Sequence, residues 1–487
     1  MRALRIVRLT ITSIFILSFY GFATNYSQKN CLSNNTLKCN LFNLISYPAI
    51  FFEDGLKNTY RLSTNFLSSG ALISSGLIVD KIEETNKRFS DLPPGFDFYY
   101  PAGSRKNAGY LILSRSNPEF NGKPSVELWD MNNQDLIHKY KFNIEDIRDK
   151  IGVEIETTSR LHFKHPLILN DGSLIVNSLG NDLPLLKVDK CGNFLKSNSE
   201  YKFHHSLELG PDQNIYVPIR DVTENLDKNL HGKNFRDEGF AVIDGDLNIL
   251  KVYSLLEIYK KNGILSDIYG RDTLTSDPFH LNDVQPYKAK NGDINVLLSL
   301  RNQSTLIALD LKSEELIWKL ERIAFNQHDI DLIKINSDGS MKIGLFDNNV
   351  WSYSGGNKLI SYGNKFITMD NLPSFKSQNN FLLIGEKSDF FKYDLKVEDF
   401  TFLENSLRPK TVTSGRSELL ISNNSLMLEE SNYGRLFEMD LDSKNLLWNY
   451  LNKKNEESPI YKLIWSRRIS NLPNNLNLNI FNSCRNN

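Results

Sequence analysis

The chain has 487 residues, and its 57 Lys+Arg against 58 Asp+Glu give a net charge of −1, which leaves no basic footprint for wrapping nucleic acid. Hydrophobic residues at 40% and aromatics at 11% are ample for a buried core and exclude wholesale disorder, while 27 Gly and 16 Pro are too few for a collagen-like or low-complexity chain. Length alone suggests about three domains, and the 8 histidines are spread unevenly along the chain.

At the N-terminus, Arg2, Arg5 and Arg8 precede an apolar run from Leu9 to Ala23 that ends in the small-x-small pattern Gly21-Phe22-Ala23. This is the form of an export signal. The run is shorter than the ~20 residues a membrane-spanning helix needs, so residues 1–23 are read as a signal peptide cleaved after Ala23, with an uncleaved membrane anchor as the alternative. The rest of the chain is then exported, periplasmic or secreted. Cys31, Cys39, Cys191 and Cys484 allow three full pairings, and Cys31 with Cys39 enclose a short polar loop that marks them as the expected disulfide. With no CxxC or HExxH spacing, structural zinc is not expected.

Residues 24–94 form a mixed segment with helix-like apolar spacing around Phe66 to Ile82, a candidate cap for the remainder of the chain or a candidate homodimer contact. Beyond Tyr99 short β-type runs recur between Asp, Asn and Gly turns, as in HPLILNDGSLIVNS, HSLELGPDQNIYVPI and NGDINVLLSL. LIALDLKSEELIWKL near residue 306 and LFEMDLDSKNLLWNY near residue 436 are close copies, each closing a strand and Asp turn with a Trp. Units of ~40–50 residues that repeat in this way are the mark of a β-propeller. The expected fold is therefore all-β, a six-bladed propeller over residues 95–487 preceded by the small mixed segment, with a pair of β-sandwiches as the competing reading.

In a propeller, chemistry comes from loops that converge on the channel. Histidine breaks the strand-turn pattern at equivalent places: His204 and His205 open one unit, His280 the next and His328 a third. One exposed strand start per blade would put them at the same end of the ring. Asn282 follows His280 by two and shares its face in an extended strand, and Arg301 ends the next strand. Imidazoles, an amide and a guanidinium suit a small anion better than a metal, so no metal site is expected. Each residue also has a structural alternative: His328 hydrogen-bonded to Asp329, Arg301 paired with Asp283. His165 is a further candidate channel residue, whereas His138, His162 and His231 are expected to pack or lie on the surface. Phe203, Phe279 and Phe325 each precede a key His, but no residue is assigned to an aryl pocket.

The phrases HHSLELGPDQNIYV, HLNDVQ…NGDINVLLSLRNQSTLIALDLKSEELIWKL and NQHDIDLIKINSDG…FDNN resemble the arylsulfotransferase family, exported nucleotide-independent sulfotransferases on a six-bladed propeller. The resemblance covers roughly Asp91 to Leu451 and is sharpest from Phe203 to Asn349. It implies that His328, in Gln327-His328-Asp329, takes the sulfuryl group from an aryl sulfate and passes it to a phenolic or other hydroxyl acceptor. It further implies catalytic roles for His280, His205 and Arg301, and substrate-binding roles for Asn282, His204 and Asp329. No cofactor is called for, and the chain has no GxxxxGK[ST] loop for a nucleotide donor. Blade turns are Asn- and Lys-rich where the family favours Gly, as in DQN and FDNN. Two other classes stay open: an exported binding or scaffold propeller, and a quinone-cofactor dehydrogenase, which would need a calcium site and more than 5 Trp.

Overall fold

The computed structural model describes Phe89 and residues 92–484, less 106, 121–122, 153–161, 179–183, 224–234, 270–276, 322–323, 325, 336–340, 349, 354–355, 360–364, 371–393, 400–408, 410, 412–413 and 475; between 350 and 399 only backbone is described. The chain divides into two compact units, and the six sheets described below lie in the one made of residues 79–352 and 358–487. The expected signal segment, the Cys31–Cys39 pair, the helix-like stretch from Phe66 to Ile82 and His231 lie outside the described residues.

Alternating apolar residues make strands with two buried faces, and each face finds a neighbouring sheet. In chain order the antiparallel sheets are: the first, Tyr110–Asn117, Lys123–Asp130 and Asp135–Tyr140; the second, Phe163–Ile168, Leu174–Ser178, Leu185–Val188 and Phe194–Asn198; the third, Lys202–Phe203 and Glu208–Leu209 on Ile215–Arg220, then Glu238–Ile243 and Ile249–Ser254. The fourth is Leu281–Lys288, Ile294–Leu300, Thr305–Asp310 and Leu316–Glu321; the fifth, His328–Ile335, Met341–Phe346, Lys365–Asp370 and Asp394–Asp399; the sixth, Arg416–Leu420, Ser425–Glu430, Arg435–Asp440 and Leu446–Leu451.

Two strands from the chain ends complete these sheets. Arg467–Ile469 adds to the inner edge of the first, Tyr110 opposite Ile469, and Gly95–Phe98 adds to the outer edge of the sixth, Gly95 opposite Leu451. Ends exchanged in this way cover edges that would otherwise be open. The fold is an all-β propeller. Where six blades were expected, five are described in full, and the sheet begun by His328 has its outer two strands described by backbone alone.

Period two decides the core. Val296, Leu298 and Leu300 of the fourth sheet join Tyr216, Phe240 and Val242 of the third, whereas Leu297 between them joins Ile330, Ile343 and Leu345 of the fifth. In the same way Leu426 and Leu428 pack with Phe346, and Met427 packs with Leu111 and Leu113 of the first sheet. At ~25 cal/mol per Å² of apolar surface, such doubly covered strands are the main source of stability. The disulfide observed is Cys191–Cys484, which ties the C-terminal 3-10 segment Leu478–Cys484 to the turn before the second sheet's last strand.

Inner strands begin in an unusual backbone. His165, His205, His280, Asp329 and Trp465 all have positive φ, 50°, 62°, 49°, 56° and 55°, although none is Gly. The pairing register shifts at the same places, between Lys164 and Leu167, between Leu281 and Asp283, and between His328 and Ile330. A bulge with a left-handed residue bends the strand and re-aims its side chain. The repeated bulge turns one side chain per strand toward a common place.

Candidate active site

Four imidazoles and one indole meet there. The ring of His205 lies 5.0 Å from His204, 5.2 Å from His280, 6.2 Å from His328 and 5.7 Å from Trp465, centroid to centroid. Trp465 also faces His328 at 5.8 Å and His165 at 6.0 Å, and Lys164 Nζ sits 3.7 Å from its centroid. The expected cluster of His204, His205, His280 and His328 is thus assembled from three successive sheets. It is not exposed, as strand starts were expected to be: His328 retains 1% of its surface and His205 6%. The bulges draw these residues inward, which a plain strand start would not do.

The nucleophile candidate is oriented by its surroundings. Asn348, two residues past the strand that pairs with the His328 strand, donates through Nδ2 to the Thr411 carbonyl at 3.0 Å and so turns Oδ1 toward His328 Nδ1, 2.5 Å away. An acceptor at that distance requires the proton on Nδ1. His328 Nε2 is then the nitrogen with a free lone pair. Asp329 does not hold this ring; it accepts from the Ser417 N–H at 2.7 Å and pairs with Arg416 at 2.9 Å, linking the fifth and sixth sheets. Its own positive φ turns it to this network and away from the His328 ring.

Arg301 is brought to the histidines by backbone pairing, its N–H donating to the His280 carbonyl at 3.1 Å. Its Nη1 donates to Asn302 Oδ1 at 2.8 Å, and its charge acts on both His280 and His328. Burial lowers Arg301 to about 10, so it is cationic at neutral pH. Asn282 is fully buried and donates to the Gln327 carbonyl at 2.7 Å, bracing the residue before His328 instead of reaching His280. The bulge between Leu281 and Asp283 breaks the simple alternation that would have put Asn282 and His280 on one face.

Charge tuning differs among the rings. Burial drives His205 well below the usual imidazole range, with Lys164 and the neighbouring rings adding to it; burial also dominates at His328, helped by Arg301 and Lys164 and opposed by Asn348. Both are neutral at physiological pH. His204 Nδ1 and His205 Nδ1 stand 2.7 Å apart, so a single proton bridges them. His280 Nδ1 instead meets Asp277 Oδ2 at 2.6 Å, and this carboxylate opposes the lowering by burial.

Glu238, Asp277 and His280 each bring one potential ligand atom within 4.8 Å of the others, the one such trio among the described residues. Those atoms are engaged internally, since Arg220 Nε donates to Glu238 Oε1 at 2.9 Å, the Leu281 N–H donates to Oε2, and His280 takes Asp277. The Arg220 guanidinium also sets a fixed positive charge beside Glu238.

Sequence reasoning missed Trp465, Lys164, Asn348, Asp277 and Glu238. Asp277 had a readable signal, a carboxylate three residues before a candidate His. Trp465 had none, because it enters the site only through the closing strand of the ring. Of the other histidines, His138 stacks on Phe481 at 4.2 Å as a packing residue, and His165 accepts from the Leu207 N–H at 3.0 Å beside Trp465. Arg301 is not the partner of Asp283, which accepts instead from the Ile330 N–H at 2.8 Å.

Among solved structures the chain resembles a protein of unknown function from Bacteroides caccae at 10% identity and TM-score 0.42, covering 74% of this chain and 98% of that one. It also resembles the Cps50 (Swd1) β-propeller domain of Myceliophteria thermophila, at 10% identity, TM-score 0.36 and coverage of 72% and 87%. No curated protein matches the sequence. A family model described as arylsulfotransferase (ASST) matches residues 165–452, from the first channel histidine to the end of the sixth sheet. With more than half of its length matched, including every strand that carries the clustered histidines, the chain belongs to the arylsulfotransferase family.

Proposed function

We propose that this protein transfers a sulfuryl group from an aryl sulfate ester to a phenolic or other hydroxyl acceptor through a sulfohistidine on His328. The observation that carries this reading is the Asn348–His328 contact, which leaves Nε2 as an unprotonated nucleophile in a cluster of neutral imidazoles beside a buried guanidinium. In the first half-reaction Nε2 attacks sulfur, the N–S bond forms, and the S–O bond to the aryl oxide breaks. In the second, the acceptor oxygen attacks the same sulfur and the N–S bond breaks. Negative charge on the sulfuryl oxygens is met by Arg301 and His205, donors already in place before the reaction. A dry site strengthens each of these interactions.

The reading extends to an exported protein, since an aryl ester donor dispenses with the cytosolic nucleotide that other sulfotransferases use. Among the described residues no helix is long and apolar enough to cross a membrane.

The test is incubation with an aryl sulfate, with and without a phenol, and then intact-mass measurement. A sulfuryl adduct that forms with the ester, disappears when the phenol is added and is absent in His328→Ala supports the proposal. Absence of adduct and of phenol release across several donors would sink it in favour of a binding propeller.

A further inference from the structure

Proton transfer to the departing aryl oxide and from the acceptor calls for an imidazole near His328, and His205 and His280, with rings 5.2 Å apart, are the two candidates. Their surroundings are unequal. His205 is nearly sealed and its Nδ1 is committed to His204, whereas the His280 side chain keeps 21% of its surface, enough for proton exchange with bound phenols and solvent.

Behind His280 the chain is clamped. Asp277 Oδ1 accepts from the His280 backbone N–H at 3.2 Å while Oδ2 faces ring Nδ1 at 2.6 Å, so one carboxylate fixes both the backbone turn and the ring. Asn302 fastens this turn from the other side, its Nδ2 donating to the Asp277 carbonyl at 2.7 Å and its N–H to the Phe279 carbonyl at 3.2 Å. An ionised carboxylate against Nδ1 demands the Nδ1–H tautomer and leaves Nε2 as the working nitrogen.

Resting on the proposed sulfuryl transfer, we infer that Asp277 is a positioning residue that makes His280 the proton donor and acceptor of the reaction. When the acceptor phenol attacks sulfur, its proton passes to His280 Nε2 as the N–S bond to His328 breaks. When the next ester reacts, that proton returns to the aryl oxygen as the S–O bond breaks. One proton shuttles, and no other reactant is consumed. Asp277 stays ionised throughout and stabilises the imidazolium between the two halves.

Burial holds His280 below the usual imidazole range, opposed by Asp277 and aided by Arg301 and Arg220, so the ring is neutral and free to take the acceptor's proton, and the nearby His204 and His205 are neutral too. Asp277 itself is pushed up by burial, but His280 and Arg220 outweigh that and hold it below the usual carboxylate range. At His205 the principal electrostatic influences are Lys164 and other imidazoles, and all of them oppose protonation.

Two measurements on the full chain test the inference. The first is histidine ring NMR, in which the wild type shows a strongly downfield Nδ1 proton that is lost in both Asp277→Asn and His280→Gln. Absence of that resonance from the wild type, or its persistence in Asp277→Asn, overturns the proposal whether or not the protein transfers sulfuryl groups. The second compares aryl sulfates of differing leaving ability. Asp277→Asn should slow release of unsubstituted phenol on the order of 100-fold while slowing release of nitrophenol, which departs without a proton, far less. Asp277→Glu should recover part of the loss, and Asp277→Asn should add little to His280→Gln. Equal losses on both donors would mean a structural role and refute the inference while leaving the sulfuryl-transfer reading intact. A wild type that shows the resonance but forms no sulfuryl adduct overturns both.

Discussion

The Asn348 carboxamide is pinned by the Thr411 carbonyl at 3.0 Å and presents its oxygen to His328 Nδ1 at 2.5 Å, so a residue from one strand end sets the tautomer of another. Replacing Asn348 with Ala frees the ring to protonate at Nε2, the nitrogen that must attack. Aryl release should fall on the order of 100-fold or more, as when a triad imidazole loses its orienting acceptor. Stopped-flow measurement of the first burst should show the loss in its rate constant, with donor KM little changed.

Arg301 supplies a fixed charge next to His280 and His328. Arg301→Lys keeps the charge but not the planar fork, and Arg301→Ala removes both. The expected order is a modest loss for Lys and a loss of roughly 10²–10³ in kcat/KM for Ala. A small competing anion such as inorganic sulfate should inhibit the wild type and fail to inhibit Arg301→Ala; equal inhibition of the two would remove Arg301 from the anion site.

Asp329 adjoins His328 in sequence yet forms a buried ion pair with Arg416 at 2.9 Å. Asp329→Ala leaves Arg416 among Glu208 and Glu418 without its nearest partner. Breaking such a pair costs about 3–5 kcal/mol, which denaturant titration will read directly. The folded fraction should keep its donor KM and its sulfohistidine adduct.

Glu238 is raised by burial and by Asp277, against Arg220, to about 8. A carboxyl whose folded pKa lies above its unfolded value of 4.5 contributes stability that is complete below that value and is lost as pH rises through about 8. Glu238→Gln carries no such charge. Its denaturation midpoint should therefore decline less than that of the wild type between pH 6 and pH 8.5, a window set by that shift. His204, His280, Arg220 and Asp277 are present in both proteins, so the difference reports the Glu238 charge together with its coupling to Asp277 and Arg220. Parallel curves would show that Glu238 is ionised throughout.

Much of the fold was legible because a propeller is periodic. Alternating strands, Asp turns and the Trp-closed repeats at Trp318 and Trp448 report local rules, and both of those tryptophans are buried as blade closures should be. The imidazole set was legible for the same reason, as His205, His280 and His328 begin equivalent strands. The disulfide was not: Cys191 and Cys484 are 293 residues apart, and only the ring brings them together.

The sequence by itself determined the β-repeat, the histidines at the strand starts and the arginine that ends the strand after His280, since each depends on a residue and its near neighbours. Tertiary structure decided the rest. Left-handed bulges turned Asp329 away from His328 and drew the histidines into the protein, closure by residues 467–469 delivered Trp465, strand pairing within the fifth sheet set Asn348 against His328 with the Thr411 carbonyl orienting it, and the third sheet set His204 beside Glu238. The physical reason is that a side chain's aim and its protonation depend on what lies across a sheet interface, and strands brought together only when the ring closes carry no mark of each other in the linear chain.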